Sequence, residues 1–534
     1  MTRSSLSIKK EQITSCLLPA LLILLGSVLR LYALGDVPGG MHQDESFVAL
    51  NAFDMFHEAR DSSGRLLPVY MSSWGDGQSA MYIWLLTPLL ALNNGHVTAL
   101  LCRIPQAVIG ILTLLAVYLL MKKMFNRSVG LVSLFLLAIC PWHIMMSRWG
   151  LDANMAPGFL MFALLFFIKG LEKEKFLMLS ALFYGLSLYC YAVIWPIVPF
   201  ILVLQIVYGL YHKKLRINRW SLLSAGILLV LALPLILFVL VNSTSLPEIA
   251  LPFMTIPKTS GYRGGELASG LTDLLNNLKK TLALLAYQNT GSPYDILLPW
   301  GLFYDIGRIF IILGAVLLLI KVVRSFLRKE FAYEYFIFAS LAGGGMTSLL
   351  VSANLHQINN LFIPLVLCEA YGVYSVLHFL YIHHKKIGQI ASGVLAAVYL
   401  VCLVLFQRDY YTSYKEVVNA YFAEGLEECV DYALEQCEEL GLSTITAEKG
   451  AQWPRLLLYT ETLSSQYLSS VEYDVAPAPA AFTTSDQIRV NTRINYDDIN
   501  QQSIYIIYFT DVPTFEADFN LTQFHDWYVA VPKY

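Results

Sequence analysis

Charged side chains are scarce in this chain of 534 residues. Asp, Glu, Lys and Arg make up 14% of it, whereas hydrophobic residues make up 56%. Soluble domains carry roughly 25% charged residues, so a soluble protein of this size would lack the charges that its surface needs. Because about 20 apolar residues cross the hydrocarbon core of a bilayer, the composition predicts a membrane-spanning protein.

An excess of basic residues and a metal-binding cysteine pattern are also missing. The net charge of −3 argues against a nucleic acid as partner. The eight cysteines include no CxxC or Cys/His spacing of a zinc site. Cys429 and Cys437 lie in one predicted helix, roughly 12 Å apart along its axis. That distance excludes a disulfide between them.

The chain instead contains a series of long apolar runs. They predict a mainly α, polytopic membrane bundle of about eleven membrane-spanning helices. The first run has no small-residue cleavage site, so we interpret it as a retained span and not as a signal peptide. The predicted spans are residues 13–34, 98–120, 128–145, 155–171, 176–191, 193–211, 221–241, 306–323, 331–351, 361–381 and 387–406.

The connections between these runs predict the orientation. If all the runs are spans, every Lys/Arg cluster falls on the same side, for example Lys122/Lys123 and Lys385/Lys386. The positive-inside rule then places the N-terminus in the cytoplasm and the C-terminus outside a plasma membrane. The apolar run 81–92 is too short for a span and is interpreted as a juxtamembrane helix.

Most of the notable polar residues lie in predicted outer loops of a membrane domain, residues 1–406. The first loop contains HQDE (His42 to Glu45), a following amphipathic helix pattern and WGDGQS (Trp74 to Ser79). The loop before the span at 361–381 reads ANLHQINN. The predicted outer loops are residues 35–97, 146–154, 242–305 and 352–360.

The composition changes after residue 406. Residues 413–440 have a helical pattern, STITAE and QSIYIIYFT resemble strands, and TFEADF offers a shorter helix. Alternating helix and strand signals predict a small soluble α/β domain over residues 407–534. The predicted orientation places this domain outside the membrane.

Each candidate site residue has a structural and a functional interpretation. Asp44 could be the N-cap of a helix with Glu45 in its first turn, or a carboxylate that accepts a proton from an attacking hydroxyl. Arg148 and Asp152 could form an interfacial ion pair, or bind a phosphate and a sugar hydroxyl. Polar side chains around His356 could form an interfacial cap or belong to a site.

Five segments together resemble the GT-C superfamily of membrane glycosyltransferases. The chain is most similar to bacterial relatives of the protein O-mannosyltransferases and of the lipid A aminoarabinose transferases. The resemblance covers the membrane half in order, after one span and a long outer loop that opens with Asp-Glu. The segments are LRLYALGDVPGGMHQDESFVALNAF, GDGQSAMYIWLLTPLLAL, LLCRIPQAVIGIL, CPWHIMMSRWGLDANM and NNLFIPLVLCEAYGVY.

The resemblance implies a donor and a set of roles. The donor is a polyprenyl-phosphate-linked sugar used on the outer face. Asp44 corresponds to the proposed base, with Glu45 beside it, and Asp152 to an acidic residue of the second outer loop. The candidates for the lipid phosphate are, in order, Arg148, Arg263 and His356. Gln357 stands where relatives commonly have a basic residue, which puts the assignments in its loop in doubt.

We predict no cofactor and no metal site, although some members of the superfamily bind a divalent metal. The partners expected are the lipid-linked sugar, membrane lipids, and an acceptor that is a glycan, a lipid or a protein. The predicted function is glycosyl transfer to an acceptor hydroxyl. A transporter or lipid flippase is the alternative, but the span centres are nearly free of charge, with Glu369 as the main exception. A third possibility is a receptor or scaffold that binds through its outer domain.

Overall fold

Apolar α-helices form most of the molecule. The computed structural model describes residues 3–74, 77–259, 261 and 267–533. Each predicted apolar run overlaps one α-helix, except the run 128–145, which overlaps two. Within the described residues, seven helical segments are long and apolar enough to cross a membrane, and shorter apolar helices accompany them. The prediction of a mainly α membrane bundle is confirmed, whereas the number of spans stays a prediction.

The membrane half contains fifteen α-helices up to residue 409, counted among the described residues. They are α1 (Arg3–Leu31), α2 (Gln43–Glu58), α3 (Met81–Leu86), α4 (Ala99–Met124), α5 (Arg127–Ile139), α6 (Pro141–Met146), α7 (Ala156–Gly170), α8 (Phe176–Ser187), α9 (Ile197–Tyr211), α10 (Arg219–Ser243), α11 (Leu271–Tyr287), α12 (Asp305–Arg328), α13 (Glu334–Leu350), α14 (Phe362–His383) and α15 (Lys385–Asp409). Short 3-10 helices occur at Thr87–Asn93, Asp152–Met155, Ala192–Ile194 and Asn359–Leu361.

Local sequence signals explain where several helices begin and how closely two of them pack. The Thr98 hydroxyl accepts the Leu101 N–H at the start of α4, and the Asn126 side chain accepts the Val129 N–H at the start of α5. Helices α12 and α14 approach closely at Gly314, where a Cβ atom would lie 1.8 Å from the carbonyl oxygen of Cys368. Glycine is therefore required at that contact.

The first outer loop folds into a buried helix. Helix α2 follows the pattern predicted for it, but almost its whole circumference is buried between Glu45 and Met55. The C-terminal domain covers it with α18 (Trp453–Tyr459). The run at 81–92 forms α3 and a 3-10 helix, as predicted. Two short hairpins, β1 (Tyr70–Met71) with β2 (Gln78–Ser79) and β3 (Ile249–Leu251) with β4 (Met254–Ile256), complete the outer loops.

One continuous helical rod joins the two halves of the chain. Helix α15 continues through a π-helical turn, Tyr410–Tyr414, into α16 (Lys415–Phe422). The predicted boundary after residue 406 lies inside this rod. The predicted helix over residues 413–440 is two helices instead, since the chain reverses at Ala423 and Gly425, which both have positive φ. A Cβ atom at Gly425 would lie 2.5 Å from the Phe524 carbonyl oxygen.

The C-terminal domain is an α/β unit built on a seven-stranded mixed sheet. The strand order is β10-β11-β9-β5-β8-β7-β6, with β5 parallel to β8 and β9 and the other pairs antiparallel. Helix α17 packs on this sheet. The elements are α17 (Leu426–Leu440), β5 (Thr444–Ala447), α18 (Trp453–Tyr459), α19 (Ser464–Ser470), β6 (Glu472–Val475), β7 (Ala478–Thr483), β8 (Arg489–Asn491), β9 (Ile504–Tyr508), α20 (Val512–Phe515), β10 (Phe519–Phe524) and β11 (Trp527–Pro532).

Candidate active site

A polar cavity of about 180 Å³ lies where three predicted outer loops meet. Three of the sequence-predicted site residues, Asp44, Asp152 and His356, line it together. They come from α2, from the 3-10 helix after α6 and from the loop before α14. The remaining lining residues are Ser73, Trp74, Gly77, Gln78, Leu151, Ala153, Tyr191, Asn354 and Gln357.

The first turn of α2 presents Asp44 to this cavity. The helix begins at Gln43, two residues earlier than an N-cap at Asp44 would require, because His42 is the cap. The His42 ring accepts the backbone N–H of Asp44 at 3.3 Å. The Asp44 side chain is 38% exposed, and its place in the first turn puts it where the helix dipole favours negative charge.

Glu45 has a different environment from its neighbour. Its side chain is fully buried and forms a bidentate ion pair with Arg103, at 2.8 and 3.0 Å. It also accepts the backbone N–H groups of Gly150 and His42, and the bond to His42 completes a capping box. Glu45 does not line the cavity. Its carboxylate joins α2, α4 and the second outer loop.

Asp152 is held in place by backbone groups. One carboxylate oxygen accepts the N–H of Ser79 at 3.0 Å, and the other accepts the N–H of Ala153 at 2.7 Å. The side chain is buried apart from its contact with the cavity. The hydrogen bond from Ser79 connects the loop that carries Asp152 to strand β2, whose residue Gln78 lines the cavity.

His356 sits between two oxygen acceptors. Its Nε2 lies 3.0 Å from Asp295 Oδ1, and its Nδ1 lies 3.2 Å from Asn154 Oδ1. The Asn154 amide nitrogen faces the Trp149 carbonyl, which orients Oδ1 toward the ring. A carboxylate and an amide oxygen only accept hydrogen bonds, so both ring nitrogens face acceptors.

Arg148, the first phosphate candidate, does not line this cavity. Arg148 is fully buried, and its guanidinium donates to backbone carbonyls of residues 29–37, among them Tyr32 and Ala33 at 2.7 and 2.8 Å. It also donates to the Tyr410 hydroxyl at 3.2 Å. It therefore ties the end of α1 to the helical rod. Arg263 lies outside the described residues.

An aromatic cluster backs the cavity around His42. The ring of His42 contacts Trp149, Tyr294 and Phe422, with centroids 4.9 to 5.5 Å apart. Burial, then the positive charges of Arg455 and His356, hold the pKa of His42 well below its usual value. His42 is thus neutral near pH 7, and its 3.8 Å approach to Asp44 is a contact of a neutral ring.

The sequence reasoning missed several residues that shape the cavity. Gln78 is buried on its wall, and its Oε1 atom has no hydrogen-bond partner in the described structure. Its place in the polar motif WGDGQS was the sequence signal that could have identified it. No sequence signal indicated the contacts of Asp295 and Arg103. An aspartate in a long loop and an arginine in an apolar run do not by themselves show which residues they contact.

A second feature near the cavity is an apolar groove of about 510 Å³ between α8, α9 and α10. Leu188 and Trp195 line it, and they flank Tyr191 of the polar cavity in the sequence. The rings of Tyr70, Trp195 and Phe238 pack together beside it, and the Tyr70 hydroxyl donates to Gly77 at the cavity wall.

No group of three or more His, Cys, Asp or Glu side chains is placed to hold a metal ion among the residues described. The nearest donor set, Asp44, Asp152 and His356, has its histidine nitrogens committed to Asp295 and Asn154. Those nitrogens are not available as metal ligands in this arrangement.

The family model described as dolichyl-phosphate-mannose-protein mannosyltransferase matches residues 78–238. No curated protein matches the sequence. The structure is similar to that of ArnT from Cupriavidus metallidurans in the apo state, with a TM-score of 0.53 and 10% identity, covering 98% of each chain.

Two further solved structures are similar. ArnT from the same organism bound to undecaprenyl phosphate has a TM-score of 0.53 and 11% identity, covering 96% of this chain and 97% of that one. The apo oligosaccharyltransferase of Archaeoglobus fulgidus has a TM-score of 0.49 and 12% identity, covering 93% of this chain and 70% of that one.

Proposed function

Since the chain has the GT-C fold that its sequence resemblance predicted, we propose that it is a glycosyltransferase. It moves a sugar from a polyprenyl-phosphate donor to an acceptor hydroxyl at the outer face of the membrane. The family model over residues 78–238 and the undecaprenyl phosphate bound by the similar ArnT support this class of donor.

The observation that carries the proposal is the convergence of Asp44, Asp152 and His356 on one polar cavity. Two carboxylates and a histidine from three separate segments meet there, beside a groove suited to a lipid chain. A transporter would instead need polar groups along a path through the membrane. Asp44, Asp152 and His356 instead belong to segments that lie between the predicted spans.

In the proposed reaction, the acceptor oxygen attacks the anomeric carbon of the donor. The bond from that carbon to the phosphate oxygen breaks, and the polyprenyl phosphate leaves with the bonding electrons. Asp44 takes the proton of the acceptor hydroxyl. Its partly exposed carboxylate in the first turn of α2 suits this role. Asp152, which backbone N–H groups hold in place, orients the sugar through its hydroxyls.

His356 lines the cavity and is the proposed contact for the leaving phosphate. Its two ring nitrogens face Asp295 and Asn154, which hold the ring in place. The Gln78 Oε1 atom, which has no hydrogen-bond partner among the described residues, is the proposed acceptor of a sugar hydroxyl. The apolar groove next to Tyr191 receives part of the polyprenyl chain, because its walls are almost wholly apolar. Arg263 remains a candidate phosphate ligand from the sequence resemblance.

Glu45 and Arg148 have supporting roles in this proposal. The Glu45 ion pair with Arg103 fixes the turn that carries Asp44. Arg148 holds the segment between α1 and α2 through its bonds to backbone carbonyls. Neither side chain lines the cavity. We therefore propose positioning roles for both, in place of a catalytic role for Glu45 and a phosphate-binding role for Arg148.

The test is transfer of sugar from a panel of undecaprenyl-phosphate sugars in proteoliposomes. Asp44→Asn keeps the size of the side chain and removes the base, so we expect a loss of about 10²–10⁴-fold in rate with an unchanged Tm. Asp36→Asn, at an exposed position of the same loop, is the matched control and should retain full activity. Full activity in Asp44→Asn would refute its role as base, and solute movement without transfer would support the transporter.

The outer location of the site has its own test. Reporter fusions after Lys123 and after Lys386 should read as cytoplasmic. A fusion after Asn94, which ends the 3-10 helix at Thr87–Asn93, should read as extracytoplasmic, as should one at Tyr534. A cytoplasmic signal after Asn94 would place the cavity on the inner face and would exclude this proposal.

A further inference from the structure

A second cavity, of about 420 Å³, lies between the first outer loop and the C-terminal domain. Its floor and walls come from α2, from the turn before α4, and from α17 and α18. Four carboxylates line it: Glu427, Asp431, Glu461 and Asp486. Phe53 lines it from α2, nine positions after Asp44, which corresponds to roughly 13 Å along the helix. It is therefore separate from the candidate active site.

The negative charge of this cavity is only partly balanced. Glu461 forms an ion pair with His96. Glu427, Asp431 and Asp486 have no ion-pair partner among the residues described. Burial, then the neighbouring Asp431 and Glu428, raise the pKa of Glu427 to about 7. Uncompensated negative charge at a partly buried position favours a cationic occupant.

A buried hydroxyl provides independent support for a ligand. Tyr459 lines the same cavity, is 7% exposed, and its hydroxyl has no hydrogen-bond partner in the described structure. Unsatisfied buried polar groups are uncommon in folded proteins. Burial, then the negative charge of Glu427, raises the pKa of Tyr459. Arg455 is also near, but it donates to the Met41 and Tyr421 carbonyls.

We propose that this cavity binds an organic ammonium group between Tyr459 and the carboxylates of Glu427 and Asp431. The N–H donors of an ammonium group suit a hydroxyl oxygen and carboxylates. Phe53, Leu434 and Leu458 provide an apolar wall for the attached carbon chain. A bare metal ion fits less well, because no cluster of three or more metal-ligating side chains occurs in the described structure.

Such a ligand would bridge the two halves of the molecule. His96 and Phe53 belong to the first outer loop, whereas Glu427 and Tyr459 belong to the C-terminal domain. Since a ligand that binds only the folded state stabilises it, occupancy should raise the Tm. The ammonium group could come from a small amine or from a lysine side chain of another protein, and both have the same chemistry.

Calorimetry and thermal unfolding of the purified full-length protein in nanodiscs test the proposal. The probe is 1,4-diaminobutane, and 1,4-butanediol is the neutral analogue of the same length. We expect saturable binding and a raised Tm with the diamine and no binding with the diol. A blocked Gly-Lys-Gly peptide that binds more tightly than the diamine would identify lysine as the source, and the reverse order would identify a small amine.

Variants distinguish diamine binding at this site from attraction to the general surface charge. Glu427→Gln combined with Asp431→Asn should weaken diamine binding at least about tenfold, as expected when hydrogen bonds to charged groups are lost. Tyr459→Phe removes a single oxygen atom and should weaken binding without unfolding the domain. Glu516→Gln, at an exposed position elsewhere in the C-terminal domain, should bind like the wild type.

Three results would overturn the proposal. The first is binding of the diol as tight as that of the diamine. The second is an unchanged diamine affinity in both the double variant and Tyr459→Phe. The third is displacement of the diamine by millimolar Ca²⁺, which would indicate a metal site. None of these measurements uses glycosyl transfer. A failure here therefore leaves the proposed function intact, and loss of activity in Asp44→Asn leaves this site untouched.

Discussion

Arg455 of the C-terminal domain donates from its Nε atom to the backbone carbonyl of Met41, at 2.9 Å, three residues before Asp44. Its Nη2 atom donates to the Tyr421 carbonyl at the end of the helical rod. Gln452, also from the C-terminal domain, donates to the side chain of Gln43 at 2.9 Å. The C-terminal domain thus holds the turn that presents the proposed base.

Replacing Arg455 should impair transfer by loosening this turn. Arg455 is 2% exposed, and burial lowers its pKa to about 10, so it remains charged at neutral pH. In Arg455→Ala the buried Met41 carbonyl loses its donor, at a cost of about 1–3 kcal/mol, and the carbonyl of the exposed Tyr421 loses a hydrogen bond. We expect kcat to fall at least about tenfold, measured at matched folded fraction.

Partial rescue distinguishes positioning from loss of folding. Arg455→Lys keeps one donor within reach and should recover part of kcat. Arg493→Ala, which removes an exposed arginine paired with Asp474, should leave both kcat and the Tm unchanged. Normal kcat in Arg455→Ala would show that the active site does not depend on this contact.

Glu45→Gln should act mainly on stability, in contrast to Asp44→Asn. Glu45 and Arg103 are both fully buried, and removal of one partner leaves an uncompensated buried charge, at a cost of about 3–5 kcal/mol. We expect a lowered Tm in Glu45→Gln and residual activity in the molecules that remain folded. A full loss of activity with an unchanged Tm would restore Glu45 as a catalytic residue.

The Arg148→Ala and His356→Ala variants should differ in their affinity for the donor, measured by titration. Arg148→Ala removes the donor to several backbone carbonyls between α1 and α2 and should lower the Tm with little change in donor affinity of the folded fraction. His356→Ala should weaken donor binding by about tenfold, the loss expected for one charge-assisted contact. The opposite pattern would make Arg148 the phosphate ligand and would contradict the proposed position of the donor.

Glu427 should make stability depend on pH. Its pKa is about 7 in the folded protein against 4.5 as the ordinary value. Between these values the unfolded chain has released the proton and the folded chain has kept it, so stability falls as pH rises through this window. The full cost, about 1–3 kcal/mol, is present above pH 7.

Glu427→Gln removes that cost. The variant should therefore unfold at a higher temperature than wild type at about pH 8 and at a similar temperature at about pH 4.5. Glu516→Gln serves as the exposed control, with no pH-dependent difference expected. An equal Tm difference at both pH values would show that the ionisation of Glu427 does not affect folding.

The sequence was sufficient to predict the helices of the membrane bundle. The predicted apolar runs all overlap helices, because burial in lipid depends on the local density of apolar residues. The resemblance selected Asp44, Asp152 and His356, and these three line one cavity. The strand signals STITAE and QSIYIIYFT also correspond to β5 and β9, since continuous apolar β-branched and aromatic runs are typical of central strands.

Tertiary structure decided which polar residues face that cavity. Asp44 and Glu45 are neighbours in sequence, yet Glu45 pairs with Arg103, 58 positions later, and is buried. Arg148 donates a hydrogen bond to the hydroxyl of Tyr410, 262 positions later in the chain. The direction of a side chain and the identity of its partner follow from packing between distant segments, which periodicity and composition do not encode. For that reason the sequence determined the membrane bundle and the location of the polar loops, whereas only the folded chain distinguished the proposed base from the buried ion pair and the buried arginine that support it.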